Sequence, residues 1–239
     1  MRPILLGQRY RERLDRPLRR HGLTPLYIPD NPNVDPRLAG HADLSCFPAG
    51  EKIWLAPYLL GTNFAEKLRS FGYSVVFPNY LQAADYPCDA GMNLLNLGKN
   101  LIYAKGISCG DIVNFLTSGG EFRLISVRQG YTRCAALPVG EESLITADPG
   151  IVLAAETAGL QVLQIEPAHV TLEGFPYGFF GGAGFLLDSD TMAFTGTIEN
   201  HPDRGRILDF LVKRGFRVKY LTELPLFDIG CAFVLNDTV

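Results

Sequence analysis

The feature that most constrains the fold is a segment that recurs along the chain. Its clearest copy is FLVKRGFRVKYL, residues 210–221. An apolar run followed by Lys213 and Arg214 is typical of a helix C-terminus, where the helix dipole favours cations. Gly215 can adopt the left-handed conformation that ends a helix, and the residues after it alternate as in a strand. The segment therefore predicts a helix, a sharp stop and a strand.

The same pattern occurs at four earlier places, and a hairpin-like segment accompanies each unit. The earlier helix stops are Gly22, Gly72, Gly120 and Gly159. Two apolar runs around a short turn predict hairpins at residues 43–57, 92–105, 134–148 and 184–196, and the first strand of another from Asp228. Each unit is thus predicted to be ββαβ. Self-similarity at this spacing indicates a repeat architecture.

The chain ends complete the series of units. The interval from Gly215 through both termini to Gly22 falls within the range of the other intervals. We therefore predict a single α/β domain of residues 1–239, a five-unit ββαβ propeller whose fifth unit combines residues 1–29 with residues 225–239. Residues 22–28 and 228–235 should then share one sheet. Pro17 should kink or shorten the first helix. The alternative is an open α/β sandwich, although simple βαβ units would not require a hairpin each time.

Composition excludes several classes of partner and site. The chain has 239 residues, of which 47% are hydrophobic, and a formal net charge of −3, so we expect neither nucleic acid nor a membrane as partner. No apolar run reaches the ~18 residues of a membrane span, and the N-terminus lacks the pattern of a signal peptide, which favours the cytoplasm. Five cysteines without CxxC spacing predict reduced thiols and no zinc site.

Several stretches resemble a known superfamily. They are HADLSCF (41–47), RQGYTRCAALPVGE (128–141), GFPYGFFGGAGFLL (174–187), HPD (201–203) and PLFDIG (225–230). With the five ββαβ units they resemble the pentein superfamily of guanidine-group-modifying enzymes, which includes deiminases, dimethylarginine dimethylaminohydrolase and amidinotransferases. More narrowly, the chain resembles a family of small uncharacterised bacterial proteins assigned to that fold. The resemblance implies an axial site where a cysteine attacks the guanidinium carbon, a histidine of an H-x-D sequence moves protons and carboxylates bind the cation.

The resemblance implies three catalytic residues. His41 and Asp43 form an H-x-D before the first full hairpin, as proton shuttle and guanidinium ligand. Cys134 follows a glycine-containing approach and precedes a strand, as the nucleophile, with a thiol pKa that cationic His41 would lower. A purely structural role is the alternative in each case. His41 and Asp43 would cap a strand, and Cys134 would be a small hydrophobic residue of the core. Because the nucleophile of these enzymes lies near the C-terminus, Cys231 competes, although Asp228 before it would raise a thiol pKa.

Further residues are predicted to contact the ligand. They are Asp89, Asn93, Gln129, Tyr131, Tyr177 and Asp228. The two aspartates and Asn93 lie at or just before first strands, where they could face the axis, although turn chemistry also explains them. The glycine- and aromatic-rich loop 174–184 is expected to form a wall or lid there. A second H-x-D at residues 201–203 is interpreted as a helix cap.

The sequence favours a hydrolase or transferase that acts on a guanidino or amidine compound by Cys–His covalent chemistry, either deiminase-like or an amidinotransferase. Its partner would be that small molecule, with no cofactor and no metal, and the oligomeric state stays open. The alternative is a non-catalytic ligand-binding or structural protein that keeps the pentein fold. Cys134 close to His41 would favour the enzyme, whereas Cys134 among apolar groups, far from any histidine, would favour the alternative.

Overall fold

The computed structural model describes residues 2–235, which form five three-stranded sheets. The strands are β1 (Arg2–Gly7), β2 (Leu23–Ile28), β3 (Cys46–Ala49), β4 (Lys52–Leu55), β5 (Ser74–Val76), β6 (Leu95–Leu97), β7 (Asn100–Ala104), β8 (Arg123–Val127), β9 (Ala136–Val139), β10 (Ser143–Thr146), β11 (Gln161–Gln164), β12 (Gly184–Asp188), β13 (Thr191–Phe194), β14 (Arg217–Tyr220) and β15 (Phe233–Val234). The helices are α1 (Arg11–Arg20), α2 (Asn63–Ser70), α3 (Gly110–Thr117), α4 (Thr132–Ala135), α5 (Pro149–Thr157) and α6 (Arg204–Val212). The predicted mixed α/β architecture is therefore confirmed.

The sheets share one strand pattern. The central strand pairs antiparallel with one neighbour and parallel with the other, and the parallel connection contains a helix. The five glycines predicted to stop the helices all have positive φ, at Gly22 (74°), Gly72 (90°), Gly120 (69°), Gly159 (80°) and Gly215 (82°). A side chain is strained in that region of φ, whereas glycine is not. The glycines thus turn the chain from each helix into the third strand.

One sheet joins both ends of the chain. β15 pairs antiparallel with β1, which places Ile4 opposite Val234, and β1 pairs parallel with β2. The predicted sharing of one sheet by residues 22–28 and 228–235 is confirmed. Strand β1 was not predicted, and the last strand begins at Phe233, not at the predicted Asp228. β1 is buried almost throughout and so lacks the polar alternation that reveals a strand. Residues 1 and 236–239 of the predicted fifth unit lie outside the described residues.

Helix α1 continues through Pro17 to Arg20, so the expected shortening is wrong. Proline removes the N–H that would bond the carbonyl one turn earlier. Leu14 and Leu18, both fully buried, pack into a hydrophobic cluster together with residues of β1 and β12. Burial of two leucines contributes on the order of 3 kcal/mol or more, which offsets the cost of the proline.

Five hydrophobic clusters connect the sheets in pairs, and each contains residues of two sheets. Representative pairs are Ile4 with Phe185, Leu26 with Ile53, Trp54 with Leu101, Ile102 with Leu144, and Ile145 with Phe194. Strands β3, β6, β9, β12 and β15 also line one common cavity. The segments that lead into these strands therefore converge at one place. Among the described residues, no helix has the length and apolar character needed to cross a lipid bilayer.

Candidate active site

The three predicted catalytic residues lie together. His41 and Asp43 lead into β3, and Cys134 lies in α4, directly before β9. An imidazole nitrogen, a carboxylate oxygen and the thiol sulfur of these residues all lie within 4.8 Å of one another. Their side chains are buried, with relative exposures of 3%, 1% and 3%. Such a set can perform nucleophilic and proton-transfer chemistry, and its N, O and S atoms are also possible ligands for a metal ion.

Several polar atoms at this place have no hydrogen-bond partner among residues 2–235. They are His41 Nε2, both carboxylate oxygens of Asp43 and Asn93 Nδ2. A buried polar group without a hydrogen bond costs free energy, and most proteins avoid it. Unsatisfied donors and acceptors at one buried place are what a polar ligand would complete. We call His41, Asp43, Asn93, Cys134 and Asp228 the inner cluster.

Asp228 is the second carboxylate of the inner cluster. Its oxygens lie 3.6 and 3.8 Å from Cys134 Sγ. Each oxygen also accepts one backbone N–H, at 2.8 Å from Gly230 N and 2.8 Å from Phe179 N. These two bonds fix the carboxylate against the thiol. The expectation that Asp228 raises the pKa of Cys231 is confirmed, and the same carboxylate also raises the pKa of Cys134.

The electrostatics of the inner cluster hold the thiol in its neutral form. Burial raises the pKa of Cys134 well above its usual value, and the charges of Asp228 and Asp43 raise it further. Burial likewise raises the pKa of Asp43, although His41 acts in the opposite direction. The net direction is therefore opposite to the expected lowering of the thiol pKa, and the effect of cationic His41 on the thiol stays a prediction. Two carboxylates beside one thiol leave the site short of positive charge.

Asn93 holds the start of α4. Its Oδ1 accepts hydrogen bonds from Arg133 N (2.7 Å) and Cys134 N (3.3 Å), which fixes the orientation of the amide. Its backbone oxygen accepts a further bond from Thr132 Oγ1 at 2.7 Å. The Nδ2 group is left as a donor without a partner in the described chain. Asn93 thus positions Cys134 and offers an N–H donor to a ligand.

Two glycines, Gly182 and Gly230, lie in close contact with residues of the inner cluster. A Cβ atom on Gly182 would lie 2.0 Å from Asp228 Oδ1 and 2.8 Å from Cys134 Sγ. A Cβ atom on Gly230 would lie 2.3 Å from His41 Cβ. The Gly182 carbonyl accepts bonds from Ile229 N and Cys231 N, both at 3.0 Å. Any larger residue at these positions would displace the reacting groups.

The other predicted ligand contacts lie outside the inner cluster. Tyr131 donates a 2.6 Å hydrogen bond to Asp89. Burial is the main cause that raises the pKa of Tyr131, and the Asp89 carboxylate raises it further. Tyr131 also lies near enough to Cys134 for the thiolate charge to act on it. Gln129 and Tyr177 instead line a cavity of about 380 Å³ together with His169 and His201. The structure therefore places these two residues at a neighbouring cavity.

Tyr10 is a site residue that the sequence analysis missed. It lines a cavity of about 670 Å³ that reaches the inner cluster at Asp228 and is bordered by Arg9, Arg13 and Arg37. Burial, and then the charges of Asp228 and Cys134, raise the Tyr10 pKa far above its usual value. No motif marks Tyr10, because it lies between β1 and α1, in the unit completed by the other end of the chain.

The competing thiols differ from Cys134. Cys231 donates to its neighbouring carbonyl, Ala232 O, at 3.2 Å, and burial raises its pKa to about 12. Cys109 is the N-cap residue of α3 and is buried. Cys88 is the one exposed cysteine of the described chain. Accessibility alone therefore favours alkylation of Cys88 over the four buried thiols.

Comparison with solved structures identifies the fold. The dimethylarginine dimethylaminohydrolase of Pseudomonas aeruginosa, in complex with citrulline, has 10% identity and a TM-score of 0.58 over 92% of this chain and 91% of its own. SxtG, an amidinotransferase from Microseira wollei in the saxitoxin biosynthetic pathway, has 10% identity and a TM-score of 0.55 over 92% of this chain and 77% of its own. The agmatine deiminase of C. jejuni has 8% identity and a TM-score of 0.50 over 92% and 87%.

At such low identity these similarities show the fold alone, and they confirm that the chain has the fold of pentein enzymes. No curated protein sequence matches the chain. A sequence profile, by contrast, covers nearly all of it, from residue 5 to residue 233. The chain therefore belongs to the family of unknown function DUF6873.

Proposed function

We propose that this protein modifies a guanidino or amidine compound by covalent catalysis, as a hydrolase or an amidinotransferase. The observation that carries the proposal is the inner cluster, in which His41, Asp43 and Cys134 lie within 4.8 Å of one another and both Asp43 oxygens lack a partner in the described chain. A planar cation with paired N–H donors matches a carboxylate. The names of the fold relatives, an amidinotransferase and a deiminase among them, agree with this chemistry.

The reaction would proceed through an amidino group bound to sulfur. His41 takes the proton of the Cys134 thiol, the sulfur forms a bond to the central carbon of the guanidino group, and the bond from that carbon to one nitrogen breaks. His41 gives its proton to the departing amine. Water or an acceptor amine then attacks the same carbon, His41 takes a proton from it, and the sulfur leaves as a thiolate. Asp43 and Asp228 would bind the remaining N–H groups of the substrate.

The raised pKa of the Cys134 thiol fits a site that is activated by its own substrate. A cation close to a thiol favours the thiolate, whereas two carboxylates alone disfavour it. A guanidinium bound against Asp43 and Asp228 would therefore lower the thiol pKa when it arrives. Without that cation the thiol stays protonated and unreactive.

We further propose that residues 1–239 form one domain in which the five sheets close into a propeller around a central axis. Each sheet shares hydrophobic clusters with two others, and the terminal strands pair with each other. Closure would leave few free strand edges and would place the inner cluster on the axis. This arrangement would bring Asp43, Cys134 and Asp228 together from three different units.

The test is detection of the covalent intermediate. The protein is mixed with arginine, agmatine or a methylated arginine, quenched in acid and digested, and the peptide that contains Cys134 is examined for the mass of an amidino adduct. Cys88→Ser serves as the background, because it removes the exposed thiol. Cys134→Ser should abolish the adduct and any release of product. Cys109→Ser, a change at a buried thiol outside the inner cluster, should leave both unchanged.

One result would favour the non-catalytic alternative. If guanidino compounds bind and raise the melting temperature, yet no adduct or product forms with any of them, the inner cluster is a binding site only. The burial and the two carboxylates that raise the pKa of the Cys134 thiol support this second candidate. Absence of both binding and adduct would contradict the proposed ligand class itself.

A further inference from the structure

Arg133 is the direct neighbour of Cys134 in α4, yet its side chain lines a different cavity. That cavity has a volume of about 680 Å³ and is formed where the first strands of the five sheets converge. Neither Asp228 nor Tyr10 borders it, so it is distinct from the cavity that reaches the inner cluster. Arg133 and Cys134 are thus consecutive in the chain, but only Arg133 borders this cavity, although its charge still acts on Asp43.

The guanidinium of Arg133 is buried and makes no direct ion pair with a described residue, although its charge acts from a distance against the burial that raises the pKa of Asp43. The residue is only 6% exposed. Its hydrogen bonds run to backbone carbonyls alone, from Nη1 to Gly181 O (2.9 Å) and Ala136 O (3.4 Å) and from Nη2 to Gly184 O (3.2 Å). No salt bridge of the described residues includes it. A buried charge without a directly hydrogen-bonded counterion is costly, so an anion that bonds to this guanidinium would be bound favourably.

Arg133 retains donors for such a counterion. A guanidinium has five N–H groups, and the three hydrogen bonds leave Nε–H and one Nη2–H without an acceptor among residues 2–235. Two N–H groups of one guanidinium can bind both oxygens of a carboxylate. Arg2 also borders the cavity and adds a second positive charge. The acid there, Asp188, accepts a bond from Asp190 N within its own turn.

The walls of this cavity are largely apolar. They include Phe47, Leu94, Pro138, Phe185, Leu186 and Phe233. An inorganic anion would occupy the arginines and leave these side chains in contact with water. An organic anion would satisfy both features, because its apolar part would cover the side chains while its charged group binds Arg133.

We propose that this cavity is a binding site for an organic carboxylate with an apolar body, held through its carboxylate by Arg133 and Arg2. The site is separate from the inner cluster and does not depend on the proposed guanidine chemistry. An active enzyme and a non-catalytic protein would both have it.

Calorimetric titration of the whole protein with benzoate and with benzamide, at constant ionic strength, tests the proposal. The two probes have the same shape, and only benzoate carries the charge. We expect one saturable site for benzoate and about tenfold or more weaker binding of benzamide, since a charge-assisted hydrogen bond contributes more than a neutral one. Inorganic phosphate should compete only weakly, because it lacks the apolar body.

Variants identify the site. Arg133→Met should reduce benzoate affinity by about tenfold or more, and Arg2→Gln by about threefold. Arg69→Gln, a change at an exposed arginine of α2, should leave the affinity unchanged. Arg2→Gln decides the question if Arg133→Met does not fold. Equal binding of benzoate and benzamide, tighter binding of phosphate than of benzoate, or unchanged affinity in both folded variants would overturn the proposal.

Discussion

The chain contains two H-x-D sequences, and one of them is fully integrated into the surrounding structure. At residues 201–203, His201 Nδ1 accepts a hydrogen bond from Asp203 N at 3.0 Å. The Asp203 carboxylate accepts a 2.7 Å bond from Glu166 N and pairs with Arg206 at 2.5 Å. Asp203 stands at the N-cap position of α6, but its side chain caps no N–H of that helix. The cap interpretation was therefore right about the position and wrong about the bond.

The other H-x-D, at residues 41–43, is equally buried but unsatisfied. His41 Nε2 and both oxygens of Asp43 have no partner in the described part of the chain. Burial raises the pKa of Asp43. For Asp203 burial acts in the same direction, but the Glu166 N–H and Arg206 outweigh it and the pKa is lowered. The same H-x-D pattern thus stabilises the fold at residues 201–203, whereas at residues 41–43 its polar atoms remain available to a ligand, because the surrounding residues differ.

Replacement of each histidine should give the largest difference between the two sequences. His41→Ala is expected to lower kcat for a guanidino substrate by about 10²–10⁴-fold, since His41 would move the protons. His201→Ala should leave kcat within about threefold of the wild-type value and act on stability instead, through the lost backbone bond. Steady-state kinetics on folded variants, checked by thermal unfolding, measure both. Similar losses of kcat in the two variants would remove the distinction.

Replacing a glycine near each H-x-D sequence with alanine should give the next largest effect, measured on the free energy of unfolding. Gly230 has φ of 62°, and a Cβ atom there would lie 2.3 Å from His41 Cβ. Gly230→Ala is therefore expected to lower the free energy of unfolding by about 3 kcal/mol or more. Gly205, in α6, has nothing within 4 Å of the added atom, so Gly205→Ala should raise that free energy by about 0.5–1 kcal/mol. Urea denaturation measures both, and a neutral Gly230→Ala would show that His41 is loosely held.

The pH dependence of stability should give the smallest effect, with opposite signs. Because the folded pKa of Asp43 is raised, its stabilising contribution is complete below the unfolded value of ~3.9 and is lost as pH rises through the folded pKa. Because the folded pKa of Asp203 is lowered, its contribution is present above ~3.9 and is lost as pH falls through the folded pKa.

Between pH 3 and pH 7, Asp43→Asn should therefore gain stability relative to the wild type as pH rises. Asp203→Asn should lose stability over the same range, by about 1 kcal/mol at pH 7. Urea denaturation at several pH values gives both differences. A parallel pH dependence in the two variants would mean that the carboxylates have the same environment.

Much of the architecture and part of the site were predictable. Helix stops such as Gly72 and hairpins such as residues 43–57 depend on residues close in sequence, and both appear in the structure. The proximity of His41 and Cys134 was predicted through family resemblance. Strand β1 was missed because a strand buried on both sides carries no alternating pattern. Tyr10 was missed because nothing near it in the sequence distinguishes it from a core aromatic.

By itself, the sequence determined where helices end, where hairpins turn and which residue types lie in the segments before the first strands. These features depend on residues that are close together along the chain. Only the tertiary structure decided which polar groups meet and which stay unpaired. Asp228 lies beside Cys134 although 94 positions separate them, and Arg133 bonds to Gly181 across 48 positions. The pKa of a buried thiol depends on the charges around it in space. Those charges come from distant parts of the chain, and the local sequence does not specify how they are arranged.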